Sequence, residues 1–333
     1  MLQLSIVIPA LGRLQSLEDT LVSVLANRPD DCEVLVVLND DYDDPYELSD
    51  EVRFIDAPLG ADWVECVNLG FSRCRAPLVH LLAPGVEAED GWAQPALVCF
   101  ADRQVAAVTP LVLDRDDHQR VLMAGLTYSR GGAIQEFSNG RKLAAMVSNK
   151  RLAQHQVAPS LLAGFFRTAL LDQLDVALDP SLGEDAAPVD LALQLRQLGF
   201  RTICQPAAQV LASSEVLESS LSPLARARHA ERLFLRHVPV GEWGRSLSAH
   251  LLAVAGEFLG NIPRAACLTQ LLGRSAAWLN LAEHRRQHLL VNELATELLD
   301  DEENESADVL RIHAPRPPAR KPNLRVARNS VVG

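Results

Sequence analysis

Long apolar runs are missing from this chain of 333 residues. The best candidate, Leu251 to Leu259, is short and broken by Gly256 and Glu257, too little to cross a bilayer. Paired cysteines are missing as well. Cys32, Cys66, Cys74, Cys99, Cys204 and Cys267 are scattered, with no CxxC pair and no histidine at zinc-ligand spacing, so reduced and mostly buried thiols are expected. Positive charge is in short supply: 31 Lys and Arg face 43 Asp and Glu, a net charge of -12. Phosphate-backbone affinity comes from clustered Lys and Arg, so nucleic acid is excluded as the expected partner. No basic stretch precedes the first strand-like segment and no signal-peptide core follows it, which points to the cytoplasm. No internal repeat at a fixed period is present.

What is present is a core. Hydrophobic residues make up 48% of the chain, enough for one large domain with a smaller appendage. Over the first two hundred or so residues, short β-branched runs alternate with helix-length amphipathic stretches, the pattern of an α/β fold whose mostly parallel sheet is covered by helices on both faces. Strands are expected at Leu4 to Ile8, Glu33 to Leu38, Val52 to Ile55, Leu78 to Leu82, Val105 to Leu113 and Arg201 to Cys204. A first helix from Leu14 to Ala26 turns Leu14, Leu17, Leu21, Val24 and Leu25 inward, and a second, from Ala61 to Arg73, turns in Val64, Val67 and Phe71. Between Arg120 and Val147 the periodicity weakens. Gly131-Gly132 and Asn139-Gly140 predict hairpins there, over the sheet's carboxyl edge where ligands bind in such sheets. From Pro223 onward, Ala, Leu and Arg recur at helical spacing through Arg226 to His237, Trp243 to Leu259 and Pro263 to Leu299. The acid run Asp300 to Glu305 and the Pro- and Arg-rich end, Ala314 to Val332, have little to bury and are expected to be disordered.

The stretch Leu4-Ser-Ile-Val-Ile-Pro-Ala-Leu-Gly-Arg13, a Leu-periodic helix and Glu33-Val-Leu-Val-Val-Leu-Asn-Asp40 resemble, in order and spacing, the opening of a family 2 glycosyltransferase. The likeness continues through Pro58-Leu-Gly60, Asn68-Leu-Gly70, Leu78 to Val86 with Trp92, Gly164-Phe-Phe-Arg167 and Val189 to Arg201, and closes at Pro206. It covers roughly the first two thirds of the chain, and the order of the motifs is more specific than any one of them. The resemblance implies a GT-A, Rossmann-like three-layer sandwich over residues 1–215, and the spacing and composition beyond it predict a helical appendage over 216–299 and a loose tail over 300–333. It implies transfer of a sugar from a nucleoside diphosphate to an acceptor. In that chemistry a carboxylate after the second strand contacts base or ribose, a DxD pair holds a divalent cation, and a later carboxylate deprotonates the acceptor hydroxyl.

Carried over residue by residue, the resemblance puts Pro9 and Ala10 against the base. Leu38 replaces the first Asp of the family's next signature, which leaves the base or ribose contact to Asn39 or Asp40. Arg13 either closes on a phosphate or is an exposed arginine at a helix start. In Leu81-Leu-Ala-Pro-Gly-Val86, Ala83 and Gly85 stand where the family has both DxD carboxylates, so no metal ligand is assigned. Mg2+ or Mn2+ enters only through a relocated acidic site. Asp40, Asp41, Asp43 and Asp44 are its candidates, and a solvated loop turned by Pro45 is the alternative. Ala187-Pro-Val-Asp-Leu191 replaces Glu-Asp-Val-Asp-Leu, and Ala212 stands where the family often has His. The candidate catalytic carboxylates are therefore Asp190, and Glu184 with Asp185 as a displaced base. Helix N-terminal charge is the other reading of Glu184 and Asp185, and a structural contact that of Asp190. His80 reads as a satisfied core residue and Trp92 as a helix-to-sheet packing residue.

The function implied is transfer from a nucleoside-diphosphate sugar to a glycan or lipid-linked acceptor of cell-surface polysaccharide or glycolipid assembly. A catalytically silent fold serving as a binding or scaffolding protein partner is the alternative. Arg264, Arg274, Arg285 and Arg286, interleaved with Leu and Ala, have two readings: peripheral contact with an anionic inner membrane face, or helix packing on the main domain.

Overall fold

The protein is described here by a computed structural model over residues 2–12, 14–137, 140–149, 157–174, 176–217, 221–238, 243–261 and 266–278. Arg13, Asn139, Arg264, Arg285, Arg286 and the tail 300–333 lie outside the described residues.

Strand β1 (Leu4–Ala10) is buried at all seven positions, as a strand covered on both faces must be. Helix α1 (Leu14–Asn27) turns Leu17, Leu21 and Val24 into the core, and β2 (Cys32–Leu38) and β3 (Val52–Asp56) follow. Helix α2 (Trp63–Ser72) opens on a capping box. The Asp62 carboxylate accepts from the Glu65 amide at 2.9 Å, and the Glu65 carboxylate accepts from the Asp62 amide at 2.8 Å. Beyond β4 (Leu78–Leu82) come β5 (Val86–Ala88), α3 (Gln94–Cys99) and β6 (Val105–Asp114). The stretch of weak periodicity holds β7 (Val121–Met123), the hairpin β8 (Leu126–Tyr128) to β9 (Ile134–Glu136), and α4 (Leu143–Val147). Then follow β10 (Ala163–Arg167), α5 (Thr168–Gln173), α6 (Gly183–Gln197), β11 (Arg201–Ala212), α7 (Pro223–His237), α8 (Trp243–Asn261) and α9 (Ala266–Ala277).

Nine strands form the main sheet in the order β3-β2-β1-β4-β10-β6-β11-β5, with β7 beside β6. The strands β1, β2, β3, β4, β6 and β11 run one way, and β10 is inserted antiparallel between β4 and β6. Side-chain alternation divides the core. Ile6, Ile8, Val34 and Val36 meet α1 on one face, while Val7, Leu35 and Val37 meet Val64, Val67 and Phe71 of α2 on the other. This is the expected α/β sandwich.

Several strands differ from the sequence reading, which marked neither β5 nor β10 and ended β11 early. β11 does not stop at Cys204 but continues to Ala212, because the register against β6 jumps between Gln205 and Gln209 and accommodates Pro206 there. β10, unmarked by periodicity, takes its place through Phe165 and Phe166, both fully buried.

Candidate functional site

From β1 the chain moves outward to β2 and β3, then returns to β4 on the other side of β1. The strand order therefore reverses between β1 and β4, and a crevice beyond their carboxyl ends is where open α/β sheets bind ligands. A cleft of about 870 Å³ opens at that point. Its floor is Leu11, Ala83 and Pro84. The β8–β9 hairpin and Ser160 to Leu162 make one wall, and the first turn of α6 makes another through Glu184, Asp185 and Ala186. Helices α7 and α9 close over it with Arg226, His229 and Arg274.

None of the described nucleotide candidates is among the residues lining the cleft: Pro9 and Ala10 are buried in β1, and Asn39 and Asp40 follow β2. Pro9 pairs in register with Val37 and Ala10 with Leu38, so the chain leaves β1 at Leu11 next to where it leaves β2 at Asn39. Asn39 is half-buried, and its Oδ1 is enclosed without a hydrogen-bond partner, as is the Tyr42 hydroxyl three residues on. Both are polar atoms that a donor or acceptor brought by a ligand would satisfy. Asp40 is exposed and lies over Gly12.

Where the family resemblance expects a metal pair, the turn after β4 is fixed by backbone bonds. The Ala83 amide donates to the Leu162 carbonyl at 2.8 Å, and the Gly85 amide donates to the Ser16 carbonyl at 3.0 Å and to Thr20 Oγ1 at 2.9 Å. Gly85 has φ of +90°, a left-handed conformation that favours glycine. In the acidic loop the Asp44 carboxylate is taken up locally, accepting from the Leu48 amide at 2.9 Å and from Ser49 Oγ at 2.8 Å. Among the described residues, no three His, Cys, Asp or Glu side chains are grouped to hold an ion.

The three catalytic candidates separate. Glu184 and Asp185 line the cleft, with Asp185 Oδ2 accepting from Arg226 Nε at 3.1 Å. Asp190 is not among the lining residues. It is 1% exposed on the side of α6 that meets α7, where it accepts from Arg236 Nη1 at 2.7 Å, His237 Nε2 at 2.6 Å and Gln194 Nε2 at 2.7 Å. Burial alone would raise its carboxyl. The His237 hydrogen bond and the neighbouring charges outweigh that and hold it below its ordinary value.

Three cleft residues had no marker in the local sequence. Ser160 is buried with its hydroxyl unpartnered. His229 is buried with Nδ1 unpartnered, and burial, helped by the Arg228 and Arg232 charges, pushes its imidazole down to about 4, leaving it neutral. Arg226 reaches in from the first turns of α7. Arg274, for which the sequence left membrane contact and helix packing open, turns inward and donates through Nη1 to the buried Glu231 at 2.9 Å. His80 and Trp92 are buried core residues, His80 stacked on Phe165 with ring centroids 3.7 Å apart and pushed down to about 3 by burial.

A reversed strand order, an inserted antiparallel strand and a cleft at the carboxyl edge define a GT-A type fold. Solved structures of GT-A type glycosyltransferases share it. S. aureus TarS, residues 1–349, matches with a TM-score of 0.55 and 11% identity over 90% of this chain and 92% of that one. The mannosyltransferase PcManGT from Pyrobaculum calidifontis, in complex with GDP-Man and Mn2+, matches with a TM-score of 0.51 and 15% identity over 89% and 85%. GalNAc-T7 with UDP, GalNAc and Mn2+ matches with a TM-score of 0.50 and 13% identity over 75% of this chain, which spans 55% of that one. No protein-family model matches the chain, and no curated protein matches it in sequence. Among the described residues no helix is long and apolar enough to cross a membrane.

Proposed function

We propose that the chain is a family 2-like glycosyltransferase that moves a sugar from a nucleoside-diphosphate sugar to a hydroxyl of a cell-surface polysaccharide or glycolipid. The observation that carries this reading is the cleft at the β1–β4 switch point, with two carboxylates at the N-terminus of α6 on its wall. The UDP and GDP-Man held by two structures of the same fold support a nucleotide donor. In this reading Pro9 and Ala10 pack the base, Asn39 and Asp40 bond base or ribose, and Arg13 approaches a phosphate. Glu184 or Asp185 takes the proton from the acceptor hydroxyl as the new glycosidic bond forms and the diphosphate leaves. Asp190 keeps α6 in place through Arg236.

In the test water stands in for the acceptor hydroxyl: hydrolytic release of nucleoside diphosphate is followed from UDP-, GDP- and dTDP-sugars with wild type, Glu184→Gln and Asp185→Asn. Loss of the base lowers kcat by about 10²–10⁴. Wild-type rates in both variants would remove the carboxylates from the mechanism.

A second reading, a catalytically silent GT-A protein that binds or scaffolds an active partner, is favoured by the missing carboxylates at Ala83 and Gly85. Nucleotide binding by the wild type without any release of diphosphate would select it.

A further inference from the structure

Mn2+ accompanies the nucleotide or its diphosphate in two structures of this fold, and such an ion takes mainly oxygen ligands, carboxylates foremost. The residues of this chain do not fit one. Ala83 and Gly85 bring no donor side chain, and the place is built over. A Cβ at position 85 would fall 2.8 Å from Cγ2 of Val216, so the space of a ligand side chain there belongs to Val216. The Asp44 carboxylate is committed to Leu48 and Ser49, and no acidic trio replaces the lost pair among the described residues.

Cations of another kind stand in the same cleft. Arg226 is held by one contact, Nε to Asp185 Oδ2 at 3.1 Å, and its side chain is 54% exposed. Its two terminal nitrogens make no hydrogen bond among the described residues. Arg274 lies deeper, its guanidinium oriented by Glu231. A guanidinium stays charged at every working pH and presents a planar fork that matches two phosphate oxygens. Charge developing on a leaving diphosphate is stabilised by an arginine clamp as well as by a metal ion. Resting on the glycosyltransferase reading, we propose that the cleft binds a nucleoside diphosphate without a divalent cation, Arg226 clamping the phosphates while Arg274 stays paired with Glu231. The Asp185 contact then fixes the direction of the Arg226 fork.

The experiment is calorimetric titration of the full chain with UDP, GDP and dTDP, in EDTA and in Mn2+, using wild type, Arg226→Gln and Arg226→Lys. The matching nucleosides serve as phosphate-free probes. The diphosphate that binds does so equally in EDTA and Mn2+. Its affinity falls at least about tenfold in Arg226→Gln, the scale of a lost charge-assisted contact, and partly recovers in Arg226→Lys, while nucleoside affinity stays put. Binding that requires Mn2+ overturns the cation-free cleft and leaves the transferase reading standing. Undiminished diphosphate affinity in Arg226→Gln, or an equal loss for the nucleoside, overturns the clamp. No binding by any nucleotide in either buffer removes the clamp and the transferase reading together.

Discussion

On α6, Glu184 and Asp185 face the cleft while Asp190 points the other way, into Arg236, His237 and Gln194. A carboxylate buried among three donors is a structural ion pair, and its removal strands the Arg236 guanidinium, itself 4% exposed in its side chain, with Asp179 alone. Asp190→Ala is expected to lower stability by about 3–5 kcal/mol, the scale for breaking one half of a buried pair, measured as a urea-unfolding free energy. Sequence offered a helix start as one reading of Glu184 and Asp185 but could not assign the faces of the three carboxylates, because Ala187, Pro188 and Val189 blur the helical period: all three are buried. Asn39 and Asp40 were legible as a loop beyond a strand. Arg226, His229 and Ser160 were not, since each reaches the cleft from an element far along the chain and no local pattern records that meeting.

At the scale of elements, α2 and α8 show how context sets the sign of one substitution. Gly70 faces the sheet, where an added Cβ would overlap Cγ1 of Val7 and press on Cγ2 of Val37, 3.3 Å away. The helix propensity gained by alanine, about 0.8–1 kcal/mol, is smaller than the overpacking cost of about 1–3 kcal/mol. Gly70→Ala is therefore destabilising. Gly256 on α8 has open space around its Cβ position, so Gly256→Ala keeps the propensity gain and is stabilising. Paired thermal melts of the two variants, moving in opposite directions, check both. Strands β1, β2 and β4 were legible because runs rich in Val, Leu and Ile suit a strand covered on both faces, and β3 because Val52, Phe54 and Ile55 favour extended backbone. β5 has three residues and gives no period, and the far half of β11 hid behind Pro206, which ends a strand unless a register shift receives it.

For the whole molecule, acid is the informative variable. Burial acts to raise the carboxyls of Asp179, Asp190 and Glu231. Hydrogen bonds and charges from Arg236 and His237 for the aspartates, and from His250 and Arg274 for Glu231, outweigh it and leave all three below their ordinary values. Their folded pKa values lie below the unfolded ones, near 3.8 for Asp and 4.5 for Glu. The stability they contribute is therefore complete above those unfolded values and is lost as pH falls through the folded ones. Unfolding free energy is expected to decline steeply below about pH 4, and Asp190→Ala should flatten that decline when urea midpoints are compared across pH.

Glu231 gathers His250 of α8, Arg274 of α9 and Trp278 just beyond it, and His250 reaches on to the Gly131 carbonyl in the β8–β9 hairpin. One carboxylate thus ties three late helices to a wall of the cleft. A chain shortened after β11 would keep every strand among the described residues yet lose Arg226, His229 and Arg274. The part that folds as a sheet is smaller than the part that encloses the cleft, and transplanting the first would not carry the second with it.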